Sequence, residues 1–197
     1  MTAKPAVFLD RDGTLIHDVG YLSRVEDVQW FPWSIEAVRL LNRAGFLVFV
    51  TTNQGGIGLG FYDEDLVQRV HEMMSADLAK SDARIDGYYF CPHHPRAIRD
   101  DLRVDCACRK PKAGMVRQAQ ARFDIDLSRS FVVGDKLADV GLAASIGAKG
   151  LLVKTGHGQS ELERNGGAMP GAAFIADTVF EATSWILTSA GFPKEVA

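Results

Sequence analysis

The sequence predicts an α/β fold, a doubly wound parallel sheet in a Rossmann-like three-layer sandwich, and three observations carry that prediction. Apolar, β-branched stretches recur along the chain, helical patterns separate them, and polar residues suited to ligand binding follow several of the stretches. Strands joined through helices pair in parallel by right-handed crossovers, so the loops after them share one rim. A chain of 197 residues, 47% hydrophobic and 24% charged, is long enough to bury one such core, and a single domain over 1–197 is expected.

The expected strands are Ala6–Leu9, Leu47–Val50, Gly87–Phe90, Phe131–Val133 and Leu151–Val153, with a weaker one at Ala173–Ile175. Ser34 is expected to cap a helix carrying Ile35, Val38, Leu40 and Leu41 that ends at Gly45, and Asp63 to cap a second carrying Leu66, Val67, Val70 and Met74. Further helices fit Ala113–Phe123, Leu137–Ile146 and Thr178–Leu187. Two segments break the alternation. Residues 16–31 hold Gly20, Tyr21 and Trp30 among mixed charges and are expected to form a small hairpin or flap over the rim; residues 91–110 hold all 3 cysteines. The glycine-rich stretch Gly156–Gly171 reads as a mobile loop.

A formal net charge of −3 offers no broad basic field, which argues against nucleic-acid or anionic-membrane partners and leaves a small anionic ligand held in a local positive pocket. No apolar run approaches a membrane span, and the apolar residues after Met1-Thr2-Ala3-Lys4-Pro5 are too few for a signal-peptide core, so a cytoplasmic protein is expected, and with no clear interaction stripe a monomer.

Chemistry concentrates at the predicted strand ends. After the first strand come Asp10-Arg11-Asp12-Gly13-Thr14. Residues i and i+2 of an extended segment point the same way, so two carboxylates converge and call for a cation between them, although an Asp-Gly turn would also explain the run. After the second strand stand Thr51-Thr52-Asn53-Gln54-Gly55-Gly56, which can donate to phosphate oxygens or merely turn. Arg109 and Lys110 supply cations, and Gly134-Asp135-Lys136 with Asp139 adds acid at the fourth strand, where Asp135 could also serve only as a helix cap. Cys91-Pro92-His93-His94 and Cys106-Ala107-Cys108 form a C-x-H and a C-x-C pair, a ligand set for a structural tetrahedral Zn²⁺; the matching i, i+2 spacing favours His93 over His94. Such a site would fix the loop and set Arg109 and Lys110 in place.

Taken in order, the acidic pair, hydroxyl, cation and third acid resemble the four motifs of haloacid dehalogenase superfamily phosphatases over Val7–Lys154, and the zinc loop joined to Cys108-Arg109-Lys110-Pro111 resembles the branch holding heptose-bisphosphate and histidinol-phosphate phosphatases. Such phosphatases often carry a cap domain, but this sequence has no large insertion, so a domain without a large cap is expected; the resemblance implies an aspartyl-phosphate mechanism. Asp10 would be the nucleophile and Asp12 the general acid/base, while Thr52 and Lys110 would bind the transferring phosphoryl group. Mg²⁺ would be held by the Asp10 and Asp135 side chains and the Asp12 backbone carbonyl. Asp139 would orient Lys136 or the metal site. Substrate contacts would come from Asp18, Val19, Gly20 and Tyr21 in the flap, from Thr52, Asn53, Gln54 and Gly55, and from Arg109 and Lys110. Gly55 and Leu59 depart from the serine and arginine common in the family, and the region after Thr155 carries no function over. The implied reaction removes the 7-phosphate of D-glycero-D-manno-heptose 1,7-bisphosphate, with histidinol phosphate as the alternative substrate and a phosphoacceptor signalling module as a reading from another class.

Overall fold

The computed structural model describes residues 3–192. Six strands, β1 (Ala6–Leu9), β2 (Leu47–Asn53), β3 (Gly87–Cys91), β4 (Phe131–Gly134), β5 (Lys149–Val153) and β6 (Ala172–Ala176), form one sheet in the order β3-β2-β1-β4-β5-β6. Every neighbouring pair is parallel, with Leu9 opposite Val50 on one side and Val133 on the other. The chain builds outward from β1 in one direction and then in the other, which opens a crevice between the carboxyl ends of β1 and β4.

Alternation along the strands sorts side chains to two faces. Val7, Leu9, Val48, Val50, Phe131 and Val133 pack with α1 (Ser34–Arg43), α2 (Glu64–Ala79) and α6 (Val179–Ser189), whose apolar residues recur at helical spacing. Ala6, Phe8, Phe49 and Val132 face the other way, against Met115, Val116 and Ala119 of α3 (Gly114–Gln120) and Leu142 and Ala143 of α4 (Leu137–Ile146). Phe8 and Phe49 stack across neighbouring strands with centroids 5.3 Å apart.

Several expectations need correction. Ser34 is the first helical residue rather than the cap, a place taken by Trp33, and the Ser34 hydroxyl is buried without a hydrogen-bond partner among the described residues. Asp63 does cap α2, accepting from the Leu66 N–H at 2.8 Å. The helix expected at 113–123 is shorter, with Ala113 outside it, and the helix expected from Thr178 begins one residue later because Thr178 is its cap. The stretch 156–171 is not simply a loop: it contains α5 (Gly158–Arg164), fixed by Leu162 packing on Leu152 of β5, Val140 and Met169. Glycine content hid the single apolar anchor that holds this turn of helix down. The flap is closed at its base by the His17 N–H donating to the Gln29 carbonyl and the Phe31 N–H to that of Leu15; beyond one isolated bridge, Ile16 to Trp30, it forms no hairpin ladder.

Candidate active site

The site is assembled at the crevice between β1 and β4. Asp10 leaves β1 immediately after Leu9, and its backbone N–H donates to the Val133 carbonyl at 2.9 Å, which sets it beside the end of β4. Asp135 follows Gly134 and is wholly buried. It does not cap α4: Lys136 is the cap, and the Asp139 side chain accepts from the Lys136 backbone N–H at 3.1 Å. Asp135 instead accepts from the His157 backbone N–H at 2.8 Å through one oxygen, while its Oδ1 is buried with no hydrogen-bond partner among the described residues.

Lys110 enters from the end of the cysteine loop, and its ammonium group donates to Asp10 at 2.8 Å, to Asp139 at 2.6 Å and to the Thr51 carbonyl at 2.8 Å. Asn53 holds the lysine by its backbone, accepting from the Lys110 N–H at 3.0 Å and donating to its carbonyl at 3.3 Å. The last residue of β2 thereby staples the cysteine loop to the sheet. Burial pulls Lys110 down, but the Asp10 and Asp139 charges outweigh it and raise its pKa. Burial raises Asp10, yet Lys110 and Lys136 overcome it and hold the carboxyl below its ordinary value. The other two acids are less well served: burial with the Asp10 charge beside them pushes Asp135 up to about 8 and Asp139 up to about 6.

Three carboxylates, Asp10, Asp135 and Asp139, have ligand atoms within 4.8 Å of one another. Together with Asp135 Oδ1, which has no hydrogen-bond donor among the described residues and faces only the Lys136 ammonium at 3.7 Å, this excess of negative charge fits a hard divalent cation. Asp139 already spends its oxygens on Lys110 and the Lys136 N–H, so Asp10 and Asp135 are the side chains with capacity to ligate.

Asp12 lies on the other side of the same cavity. Arg11, 1% exposed, grips it with two hydrogen bonds at 3.0 and 3.1 Å, and Gln54 donates to it at 2.7 Å. Thr52 reaches it at 3.5 Å. The cavity of ≈ 170 Å³ is lined by Asp10, Asp12, Thr52, Lys110, Lys136 and Asp139 together with Asp18, Gly20, Tyr21, Asn53, Gln54, Gly55 and Arg109. Val19 is the expected substrate contact the structure does not bring in; it is 48% exposed and lies outside the cavity, whereas Asp18, Gly20 and Tyr21 line it. Asp18 ties the flap to the rim, accepting from His157 at 3.1 Å and lying 3.5 Å from the Lys136 ammonium.

Residues the sequence did not mark also reach the site: His94, Tyr62, Thr155 and His157. His94 stands next to the metal-spaced His93 and was visible only as its rival; in the structure it lines the cavity, packed so closely on Gly55 that a side chain there would meet its ring at 2.9 Å. That contact explains why no serine occupies position 55. Thr155 donates to the Gly13 carbonyl at 2.6 Å, so the region after β5 does support the site. Tyr62 and His157 carry no local signal, since both arrive through tertiary packing.

At the rim, Cys91 Sγ lies 3.6 Å from His93 Nδ1 and 3.5 Å from Cys106 Sγ, and Cys108 Sγ lies 3.3 Å from His93 Nδ1. These are close to the edges of a coordination tetrahedron, about 3.5 to 3.8 Å for thiolate and imidazole ligands on zinc. The cluster also holds Arg109, whose N–H donates to Cys106 Sγ at 3.3 Å and whose guanidinium donates to the His93 carbonyl at 2.9 Å.

A family profile described as HAD-hydrolase-like matches residues 107–182. The chain is 44% identical over 154 residues to the D-glycero-beta-D-manno-heptose-1,7-bisphosphate 7-phosphatase of Photorhabdus laumondii, covering 77% of this chain and 81% of that one. It is 42% identical over 154 residues to the protein of the same name from Escherichia coli, covering 77% and 80%. Among solved structures, the D,D-heptose 1,7-bisphosphate phosphatase of B. bronchiseptica, complexed with magnesium and phosphate, superposes with a TM-score of 0.82 at 32% identity, covering 94% of this chain and 99% of that one. The enzyme of the same description from Burkholderia thailandensis gives a TM-score of 0.69 at 31% identity, again covering 94% and 99%.

Proposed function

The chain belongs to the haloacid dehalogenase-like phosphatases, within the heptose-bisphosphate phosphatase family, and from that premise we propose that it removes the 7-phosphate of D-glycero-β-D-manno-heptose 1,7-bisphosphate. The observation that carries the reading is the convergence of Asp10, Asp12 and Lys110 on one cavity, with Asp135 buried directly behind Asp10 and Arg109 presented at the rim, a cation suited to a second phosphate. A monophosphate such as histidinol phosphate leaves Arg109 without that role.

In this mechanism an Asp10 oxygen attacks phosphorus, the bond from phosphorus to the sugar oxygen breaks, and Asp12 gives its proton to the departing alkoxide. Asp12 then takes a proton from water as that water attacks the aspartyl-phosphate, which frees the Asp10 carboxylate and inorganic phosphate. Lys110 and Thr52 stabilise the equatorial oxygens, and Lys110 is already positioned on Asp10 to do so. Mg²⁺, held by Asp10, Asp135 and the Asp12 carbonyl, supplies charge neutralisation between nucleophile and phosphate when bound. Cys91, His93, Cys106 and Cys108 would hold a structural Zn²⁺ that fixes the loop carrying Arg109 and Lys110.

The working unit in this reading is a single capless domain over 1–197, with the flap at 16–31 and the zinc loop at 91–110 as its rim, acting as a monomer because one chain supplies each named side chain. Among the described residues no helix is long and apolar enough to cross a membrane, and three cysteines kept as thiol ligands suit the reducing cytoplasm. Asp12 argues against a phosphoacceptor module, which has no need of an acid beside the nucleophile.

The test is phosphate release with Mg²⁺ from both heptose bisphosphate anomers and from histidinol phosphate. The expected result is a higher kcat/KM for the β-bisphosphate, abolished by Asp10→Asn. Preference for histidinol phosphate would overturn the substrate assignment, and turnover retained by Asp10→Asn would overturn the nucleophile.

A further inference from the structure

Behind Asp12 the structure places a second layer of hydrogen bonds that the reaction as written does not use. Gln54, 3% exposed, donates from one amide nitrogen to Asp12 Oδ2 at 2.7 Å and to Thr52 Oγ1 at 2.8 Å. Its amide oxygen accepts from the Tyr62 hydroxyl at 2.7 Å. The Tyr62 ring lies against Gly56, where any side chain would overlap it, so the glycine makes room for the phenol to reach inward. Burial pushes the Tyr62 pKa up to about 12, which keeps the phenol proton in place for Gln54.

An amide can turn over and exchange its oxygen and nitrogen with almost no change in shape. Turned over, Gln54 would set its oxygen against a carboxylate oxygen and lose the Tyr62 donation at 2.7 Å, leaving the phenol to turn and accept from the amide nitrogen instead; the Asp12 carboxylate and the Tyr62 proton thus favour the same orientation. Arg11, Gln54 and Thr52 all converge on Asp12 Oδ2, whereas among the described residues Oδ1 accepts only from Arg11, at 3.0 Å. Oδ1 is therefore the oxygen left to carry the transferable proton.

We propose that Tyr62 is a positioning residue for the reaction: by locking the Gln54 amide it saturates Asp12 Oδ2 and directs the acid proton to Oδ1, toward the leaving group. This rests on the reading of Asp12 as the general acid. It goes beyond that reading by assigning the proton to one oxygen and the control of it to a residue that meets Asp12 only through Gln54.

The experiment compares kcat/KM, which reports steps through release of the alcohol, for the heptose bisphosphate and for 4-nitrophenyl phosphate, whose phenolate departs without needing a proton. Tyr62→Phe keeps the ring on Gly56 and is expected to lower kcat/KM for the sugar ester about tenfold, a fraction of what a general acid contributes, with the aryl ester changed by less than about twofold. Gln54→Met should show the same selectivity, and the double variant should lose no more than either alone. Equal losses on both esters, no loss on the sugar ester, or additive losses in the double variant would overturn the proposal. Asp12→Asn separates the two levels. If it is selective for the sugar ester and Tyr62→Phe is not, only the role of Tyr62 falls; if it lowers both esters equally, Asp12 is not the acid and the proposal falls with it.

Discussion

His71, on α2, lies with its ring stacked on Tyr88 at 4.5 Å and 18°, and its Nε2 is 3.5 Å from the Arg11 guanidinium. Burial, reinforced by Arg11, pushes its pKa down to about 3. The folded protein therefore holds it neutral, while the unfolded chain takes up a proton near 6.5, the ordinary value. Its stabilising contribution is complete above that pH and is lost as pH falls from there toward 3, at about 1.4 kcal/mol per pH unit. His71→Gln keeps an acceptor for Arg11 but does not titrate, so thermal unfolding followed from about pH 7 to about pH 5 should show a shallower acid slope in the variant than in the native protein. Equal slopes would mean that His71 is protonated without penalty. The site was partly legible at this scale: Asp10, Asp12 and Asp135 drew notice as acids following apolar strands and Lys110 as a cation at the end of the cysteine loop, and the structure brings the four into one neighbourhood. Arg11 was passed over as the middle of a motif although it is the group that grips Asp12, and Tyr62 gave no sign because its role exists only once α2 and the end of β2 are folded together.

Among the elements, the cysteine loop is where local order and catalysis are joined. Cys106 accepts from the Arg109 N–H, and one residue further on, the loop connects to β2 through Lys110 and Asn53. Cys106→Ser should remove the metal, seen as loss of zinc by elemental analysis, and free the segment that bears Arg109. With one ligand gone, KM should rise and kcat should fall, by about tenfold or more together. Native protein that purifies without zinc would end this account of the loop. The boundaries of β1 and α4 were readable to the residue from their apolar runs. β2 runs on through Thr51-Thr52-Asn53, which look like loop, because these polar residues pair with Tyr89, Phe90 and Cys91 of β3. Apolar patterning marks where a strand is buried; it does not mark where pairing continues into the site.

In the whole molecule, the order β3-β2-β1-β4-β5-β6 places β1 at the centre, covered on both faces and hydrogen-bonded on both edges. The doubly wound topology was accessible from the alternation of strands and helices alone. The flap was accessible only as an interruption, since its shape depends on partners such as His157 that lie 139 residues further along the chain.

That central position also fixes the order in which the protein comes apart. Segments protected on every side exchange their amide hydrogens only when the entire structure opens, whereas rim loops exchange through small local fluctuations. Deuterium uptake should therefore be slowest at Phe8 and Leu9, at the rate of complete unfolding, and orders of magnitude faster in residues 17–29. Comparable protection of the two regions would contradict this. The strand that carries Asp10 is thus the last to meet solvent, and a denaturing protein would lose the flap while Asp10 and Asp135, at the ends of the two central strands, still stand together.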